Sequence, residues 1–104
     1  MHLRAKGFTE EEMLAAGVEK RSEKGNVYDA FRGRVMTPIF DLRGNVIAFG
    51  GRVLGNEKPK YINSPETLVY KKSKAMFALS IAKKSTSRRY ILCEGYMDVI
   101  SLHQ

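Results

Sequence analysis

The sequence predicts an α+β fold: a small antiparallel β-rich subdomain with short helices, ending in one strand-helix unit. Two β-rich runs at residues 34–42 and 46–54 flank a connection at 43–45, which is the pattern of a β-hairpin. A β-type run at 88–93 then leads through a glycine turn into a helical pattern at 97–103. At 104 residues the chain has the length of one small domain. The other predicted elements are an N-terminal helix, an extended piece at 60–63 and an amphipathic helix from about residue 79.

The N-terminal helix is predicted at residues 10–16. Thr9 can cap its first turn, and Glu12 stands at the position that completes a capping box. Gly17 suits the left-handed backbone that ends such a helix. The polar residues 20–26 that follow are predicted to form a loop.

The predicted hairpin has two features that bear on function. Pro38 lacks the backbone N–H that a sheet ladder needs, so the first strand is predicted to lie at an edge or to be bulged there. Gly50 and Gly51 interrupt the second strand, where glycines mark a bulge or the close approach of another backbone or a ligand. Because the cations Arg52 and Lys60 follow these glycines, the stretch predicts a phosphate-binding surface.

Positive charge is concentrated in the middle of the chain. The formal net charge is +7, but residues 32–89 hold thirteen lysines and arginines against three acidic residues, a net of +10. The flanking segments carry net charges of −1 and −2. This distribution favours a face that binds a polyanion, although a merely solvated basic surface explains the charge alone equally well.

Composition excludes several kinds of site and setting. Cys93 is the only cysteine, which excludes an internal disulfide and a cysteine-rich zinc site, and its apolar neighbours predict a buried structural thiol. No apolar run approaches the roughly 18 residues of a membrane span, and the N-terminus does not have the pattern of a signal peptide. The chain is therefore predicted to be cytoplasmic and to have no membrane partner.

Cations alternate with aromatic and amide side chains in the basic segment. The residues concerned are Arg52, Lys60, Lys71 and Lys72 with Tyr61, Tyr70 and Asn63. Cations can follow the phosphates of a single strand while aromatic rings stack on its bases, at about 1–3 kcal/mol per base. The pattern predicts binding of single-stranded nucleic acid, although either tyrosine could equally be a strand residue of the core.

Glu94 is the candidate for catalysis, because it lies where a predicted strand gives way to a helix. Ligands of open α/β sheets bind at the carboxyl ends of strands. A carboxylate there can hold a divalent cation or act as a general acid or base, and Asp98, four residues later, can lie on the same side. An exposed turn glutamate without a function explains the position equally well.

Four motifs together resemble the bacterial replicative DNA primases of the DnaG family. They are RVMTPI at 34–39, GGRVLG at 50–55, PKYINSPET at 59–67 and EGYMD at 94–98. Their order and spacing resemble the family over nearly the whole chain. The resemblance implies that residues 1–88 form the N-terminal subdomain of the primase catalytic core. Residues 89–104 would begin its Toprim domain, an α/β fold.

The resemblance also implies roles for single residues. Those matching the basic groove that holds template and nascent primer are Arg52, Lys60, Tyr61, Asn63 and Lys72. Glu94 matches the catalytic Toprim glutamate and is a candidate metal ligand, and Asp98 belongs to the same motif. The family's metal-binding aspartates lie further along its chain. The metal site of these 104 residues is therefore predicted to be incomplete, and the chain alone to be inactive.

The resemblance implies a nucleotidyltransferase that makes short RNA primers on single-stranded DNA for replication. It would use ribonucleoside triphosphates and Mg²⁺ or Mn²⁺, with no zinc site in this part, and bind the replicative helicase through a domain that this chain lacks. Two alternatives stay open. One is a non-catalytic module that binds single-stranded nucleic acid, and the other is part of another Toprim enzyme, such as a topoisomerase or a phage primase-helicase.

Overall fold

A computed structural model of the protein describes residues 2–104. Short helices and two antiparallel sheets make up this range, which confirms the predicted α+β fold. In chain order the elements are α1 (His2–Ala5), α2 (Glu10–Ala15), β1 (Glu19–Arg21), β2 (Val27–Asp29), β3 (Arg34–Phe40), β4 (Val46–Val53), β5 (Tyr61–Asn63), a 3₁₀ helix (Lys72–Lys74), α3 (Leu79–Ala82) and α4 (Tyr96–His103).

Helix α2 begins as the sequence predicts. Thr9 Oγ1 accepts a hydrogen bond from the backbone N–H of Glu12 at 3.2 Å, and the Glu12 carboxylate accepts one from the Thr9 N–H at 2.8 Å. This reciprocal capping box satisfies two amides that the first turn leaves without helical partners. Gly17 follows the helix with a φ of 73°, in the left-handed region that the predicted helix end requires.

The predicted loop at residues 20–26 is observed at 22–26, where the chain turns, but the prediction is wrong for Lys20 and Arg21, which belong to a strand. Strand β1 pairs antiparallel with β2, and Glu19 stands opposite Asp29. Between the strands, the Gly25 N–H donates to the carbonyl of Ser22 at 2.9 Å. The strands are polar and mostly exposed, so they do not have the apolar alternation by which a strand is recognised in a sequence.

The larger sheet has the strand order β3-β4-β5, and β3 and β4 form the predicted hairpin. Strand β3 pairs only with β4 in this sheet and therefore lies at an edge, as Pro38 predicts. A register shift between Ile39 and Phe40 adds a bulge directly after the proline. In the hairpin turn, the backbone N–H of Asn45 donates to the Asp41 carboxylate at 2.9 Å. This hydrogen bond has the largest effect in lowering the pKa of Asp41.

The core of this part of the fold lies against the hairpin. Ile39, Ala48 and Tyr70 are buried together, and the rings of Phe77 and Tyr96 pack against them. Of Tyr61 and Tyr70, which the sequence leaves open as stacking or core residues, Tyr70 is therefore the core residue, since it is only 6% exposed. The partly buried Phe77 and Tyr96 connect the segments of α3 and α4 to the sheet.

The strand predicted at residues 88–93 is not formed, although helix α4 follows within one residue of its predicted start. Ile91 and Leu92 are 78% and 81% exposed, and Cys93, predicted to be buried, is only partly so. A strand needs a neighbour for its N–H and C=O groups, and this run pairs with none in residues 2–104. Of the helices in the same range, none has both the length and the apolar character needed to cross a membrane.

Candidate nucleic-acid interface and catalytic cleft

Four residues of the candidate site share one face of the larger sheet. Arg52 of β4 stands opposite Tyr61 of β5, and Gly50 stands opposite Asn63. Because side chains alternate along a strand, the positions of each strand that lie two apart point to the same face. Pairing of β5 with β4 thus brings together three predicted binding residues that are up to eleven positions apart in sequence.

Arg52 holds Tyr61 in a defined orientation. The Arg52 Nε donates to the Tyr61 hydroxyl at 3.2 Å, and the guanidinium carbon lies 5.6 Å from the centre of the ring. A second guanidinium nitrogen donates to the carbonyl of Val53 at 2.8 Å, which anchors the arginine to β4. Tyr61 is 49% exposed, so its ring remains accessible beside a cation.

Tyr96 joins the start of α4 to the same face. An added Cβ at Gly50 would lie 2.9 Å from Cζ of Tyr96, so the ring occupies the space that the glycine leaves. The Tyr96 hydroxyl donates to Oδ1 of Asn63, and its ring meets that of Phe77 edge-on at 4.9 Å. Burial, with a smaller effect of Tyr70, raises the pKa of Tyr96, which keeps the donating hydroxyl protonated.

This packing brings the two candidate carboxylates to the sheet. A cleft of about 420 Å³ is lined by Tyr61, Asn63, Glu94, Gly95, Tyr96 and Asp98. Glu94 and Asp98 are both exposed there. In residues 2–104, no group of three or more His, Cys, Asp or Glu side chains is arranged to hold a metal ion. The cleft therefore offers two carboxylates beside two tyrosine rings and an amide.

Arg52 lies in an adjoining cleft of about 360 Å³, which shares Tyr61 and Tyr96 with the first. Its other lining residues include Val35 and Leu54, which are 51% and 81% exposed. The two clefts therefore meet at Tyr61 and Tyr96, with the guanidinium lining one cleft and the carboxylates lining the other.

The three predicted lysines lie outside both clefts. Lys60 is exposed directly before β5, and Lys71 and Lys72 are exposed at the start of the 3₁₀ helix. The backbone N–H of Lys72 donates to the Glu66 carboxylate at 3.1 Å, which ties this turn to the preceding loop. Within residues 2–104, the ammonium groups of these lysines form neither hydrogen bonds nor ion pairs with the protein.

The glycine pair does not form an open phosphate cradle. Tyr96 fills the space beside Gly50, and an added Cβ at Gly51 would lie 2.9 Å from Cδ1 of Phe31 and 3.1 Å from Cδ of Arg34. The predicted close approach is real, but it involves side chains of the same chain. Neither Tyr96 nor Arg34 was predicted as a site residue, because the sequence does not indicate what covers a glycine.

Comparison with known proteins identifies the family. A model of the N-terminal domain of the DNA primase catalytic core matches residues 1–83. The chain belongs to this family. The DNA primase of Clostridium acetobutylicum is 50% identical to it over 103 residues, which are 98% of this chain and 17% of that protein. The DNA primase of Escherichia coli is 48% identical over 94 residues, which are 88% of this chain and 16% of that protein.

Solved structures of primases have the same fold. The DnaG primase catalytic domain bound to ssDNA superposes with a TM-score of 0.86 and 44% identity, over 97% of this chain and 34% of that one. The RNA polymerase domain of Mycobacterium tuberculosis primase DnaG in complex with double-stranded DNA superposes with a TM-score of 0.85 and 40% identity, over 98% of this chain and 33% of that one. The chain thus spans about a sixth of the curated primases named above and about a third of these structures.

Proposed function

We propose that this chain supplies the nucleic-acid-binding face and a catalytic carboxylate of a DNA primase, an RNA polymerase that makes short primers on single-stranded DNA for replication. One observation carries the proposal: in a chain of the primase family, Tyr61 and Asn63 share a cleft with Glu94 and Asp98. Residues 1–88 are then the N-terminal subdomain of the catalytic core, and residues 89–104 are the beginning of the Toprim domain.

In this proposal the sheet face binds template and primer. Tyr61 offers a ring on which a base can stack, and the guanidinium of Arg52 beside it attracts the phosphate backbone. Asn63 lines the same cleft as this ring and the carboxylates. Lys60, Lys71 and Lys72 add exposed positive charge that can contact phosphates further along the strand. The primases described above that are bound to DNA support this assignment.

The carboxylates of Glu94 and Asp98 fit a hard divalent cation such as Mg²⁺ or Mn²⁺, because such ions prefer oxygen ligands. We assign Glu94 as one ligand, with Asp98 beside it, and the remaining ligands to parts of the enzyme outside this chain. When bound, such a cation stabilises negative charge on reacting phosphate oxygens. Glu94 and Asp98 themselves hold the negative charge that attracts the ion, and Glu94 is also placed to accept or donate a proton.

The other partners follow from the same assignment. The enzyme joins ribonucleoside triphosphates into an RNA primer in the cytoplasm. It binds the replicative helicase through a domain that is not in this chain. The mainly basic segment between residues 32 and 89 suits these anionic partners.

Single-stranded DNA is expected to bind the chain weakly and to bind less well as salt rises. Lys60→Ala and Lys72→Ala should each weaken binding and lower the magnitude of the slope of log K against log salt by roughly 0.7, the value for one phosphate contact. Fluorescence anisotropy of a labelled oligonucleotide at several salt concentrations measures this slope. Lys24→Ala, which changes an exposed lysine outside the basic segment, is the matched control and should leave the slope unchanged. An unaltered slope in both test variants would remove these lysines from the interface.

These 104 residues alone are expected to make no primer, because two carboxylates do not complete a site for metal-assisted phosphoryl transfer. Incorporation of labelled ribonucleotides on a single-stranded template, with Mg²⁺ or Mn²⁺ present, measures the activity. The full-length Escherichia coli DNA primase serves as the positive control. Primer synthesis by the chain that depends on added metal would contradict the proposed division of the active site.

A further inference from the structure

Arg34 reaches across the sheet to the residue that precedes β5. It is the first residue of β3, and its side chain is partly buried. Its Nη1 donates to the carbonyl oxygen of Lys60 at 3.2 Å and lies 3.5 Å from the carbonyl oxygen of Gly51. The side chain therefore crosses β4 and ends on the segment that leads into β5.

Gly51 provides the path for this side chain. A Cβ at Gly51 would lie 3.1 Å from Cδ and 3.4 Å from Cβ of Arg34. A distance of 3.1 Å is shorter than ordinary van der Waals contact between carbons, so a larger residue would displace the arginine. Gly51 thus leaves room for the Arg34 side chain, whereas Gly50 leaves room for the Tyr96 ring.

The carbonyl oxygen of Lys60 accepts two hydrogen bonds. Besides the Arg34 guanidinium, the backbone N–H of Val53 donates to it at 3.0 Å. Arg34 forms no ion pair with a carboxylate in residues 2–104, where the pairs that do occur involve Arg4 and Arg21. Its hydrogen bonds to protein are therefore made to backbone carbonyls.

We propose that Arg34 is a positioning residue for nucleic-acid binding, because it fixes the peptide between Lys60 and Tyr61 and thereby the directions of both side chains. This inference rests on the proposed function, in which Lys60 contacts a phosphate and Tyr61 stacks on a base. Strand β5 has only three residues and lies at the edge of the sheet, so the bonds to the Lys60 carbonyl are a large part of what holds its beginning.

Lysine does not replace arginine at this position. The guanidinium is a planar fork with several donors at fixed directions, whereas an ammonium is a compact charge on a flexible stem. Arg34→Lys therefore keeps the charge and removes the fixed hydrogen bonds. A change in DNA binding on this substitution would therefore result from the lost hydrogen bonds to the backbone, because the net charge is unchanged.

Arg34→Lys is expected to raise the Kd for a single-stranded oligonucleotide about three- to tenfold, the size of effect that loss of one hydrogen bond of ordinary strength produces. Hydrogen exchange of the Val53 amide should become faster, because its acceptor is no longer held by the guanidinium. Arg43→Lys, at an exposed arginine of the hairpin turn, is the matched control and should alter neither measurement.

The effect of Arg34→Lys should disappear in a Lys60→Ala/Tyr61→Ala background, because the arginine acts through those residues. Persistence of the full effect there would indicate a direct phosphate contact and overturn the positioning role. Global unfolding of Arg34→Lys, seen in far-UV circular dichroism, would also overturn it. If the double variant itself binds like the unchanged protein, the proposed function fails; if the double variant binds weakly and Arg34→Lys binds normally, only this inference fails.

Discussion

Glu94→Gln is expected to abolish primer synthesis, within detection, in the full-length enzyme to which the proposed function assigns this chain. The amide has nearly the same size but cannot carry the negative charge that holds a cation or accepts a proton. Loss of general acid-base catalysis alone lowers rates about 10²–10⁴-fold. Binding of single-stranded DNA should be unchanged, because Arg52 and Tyr61 remain in place. Primer synthesis at saturating template and anisotropy with the same template measure the two effects.

The matched control is Glu23→Gln, at an exposed glutamate in the turn between β1 and β2, which should leave both measurements unchanged. Retention of full primer synthesis by Glu94→Gln would make Glu94 an exposed turn residue without a catalytic role. That outcome, together with intact binding, would leave this chain as a nucleic-acid-binding part of the enzyme and would assign the catalytic carboxylates to other parts.

Gly50→Ala is expected to lower the free energy of unfolding by about 1–3 kcal/mol, the usual effect of overfilling a packed site. The new methyl group would meet the Tyr96 ring, with Cζ at 2.9 Å before any adjustment. Displacement of this ring would also remove the hydrogen bond to Asn63 and loosen the start of α4, which carries Asp98. Urea unfolding followed by circular dichroism measures the loss of stability.

Gly55→Ala is the control for this substitution, since its Cβ would meet only the carboxylate end of Glu57, a flexible exposed side chain that can move away. In a Tyr96→Ala background the effect of Gly50→Ala should become much smaller, because the two residues compete for one space. Equal destabilisation with and without the Tyr96 ring would show that this ring does not rest on Gly50.

The elements that the sequence predicts well are those specified by neighbouring residues. Thr9 and Glu12 are three positions apart and cap each other directly, so the helix start follows from local chemistry. The edge position of β3 follows from Pro38, which has no N–H to donate to a further strand. Neither prediction depends on what the rest of the chain does.

The errors concern strands whose existence depends on a partner. Lys20 and Arg21 are polar, yet they are hydrogen-bonded in a hairpin, while the predicted β-type run at 88–93 remains unpaired among the described residues. Hydrophobic periodicity reports which side of a strand is buried, and it does not report whether a neighbour is present. The same limit applies to Cys93, which is only partly buried because the strand predicted around it is not formed.

The sequence by itself determined the family, the basic middle segment and the residue types of the site. Motifs, charges and local hydrogen-bonding groups depend only on which residues occur and in what order. Tertiary structure alone decided that Tyr70 is a core residue while Tyr61 stays accessible, since burial depends on packing between distant segments. It also decided that Tyr96 covers Gly50 and brings Glu94 and Asp98 beside Tyr61. A glycine in a sequence indicates that space is needed, and only the folded chain determines which side chain occupies it.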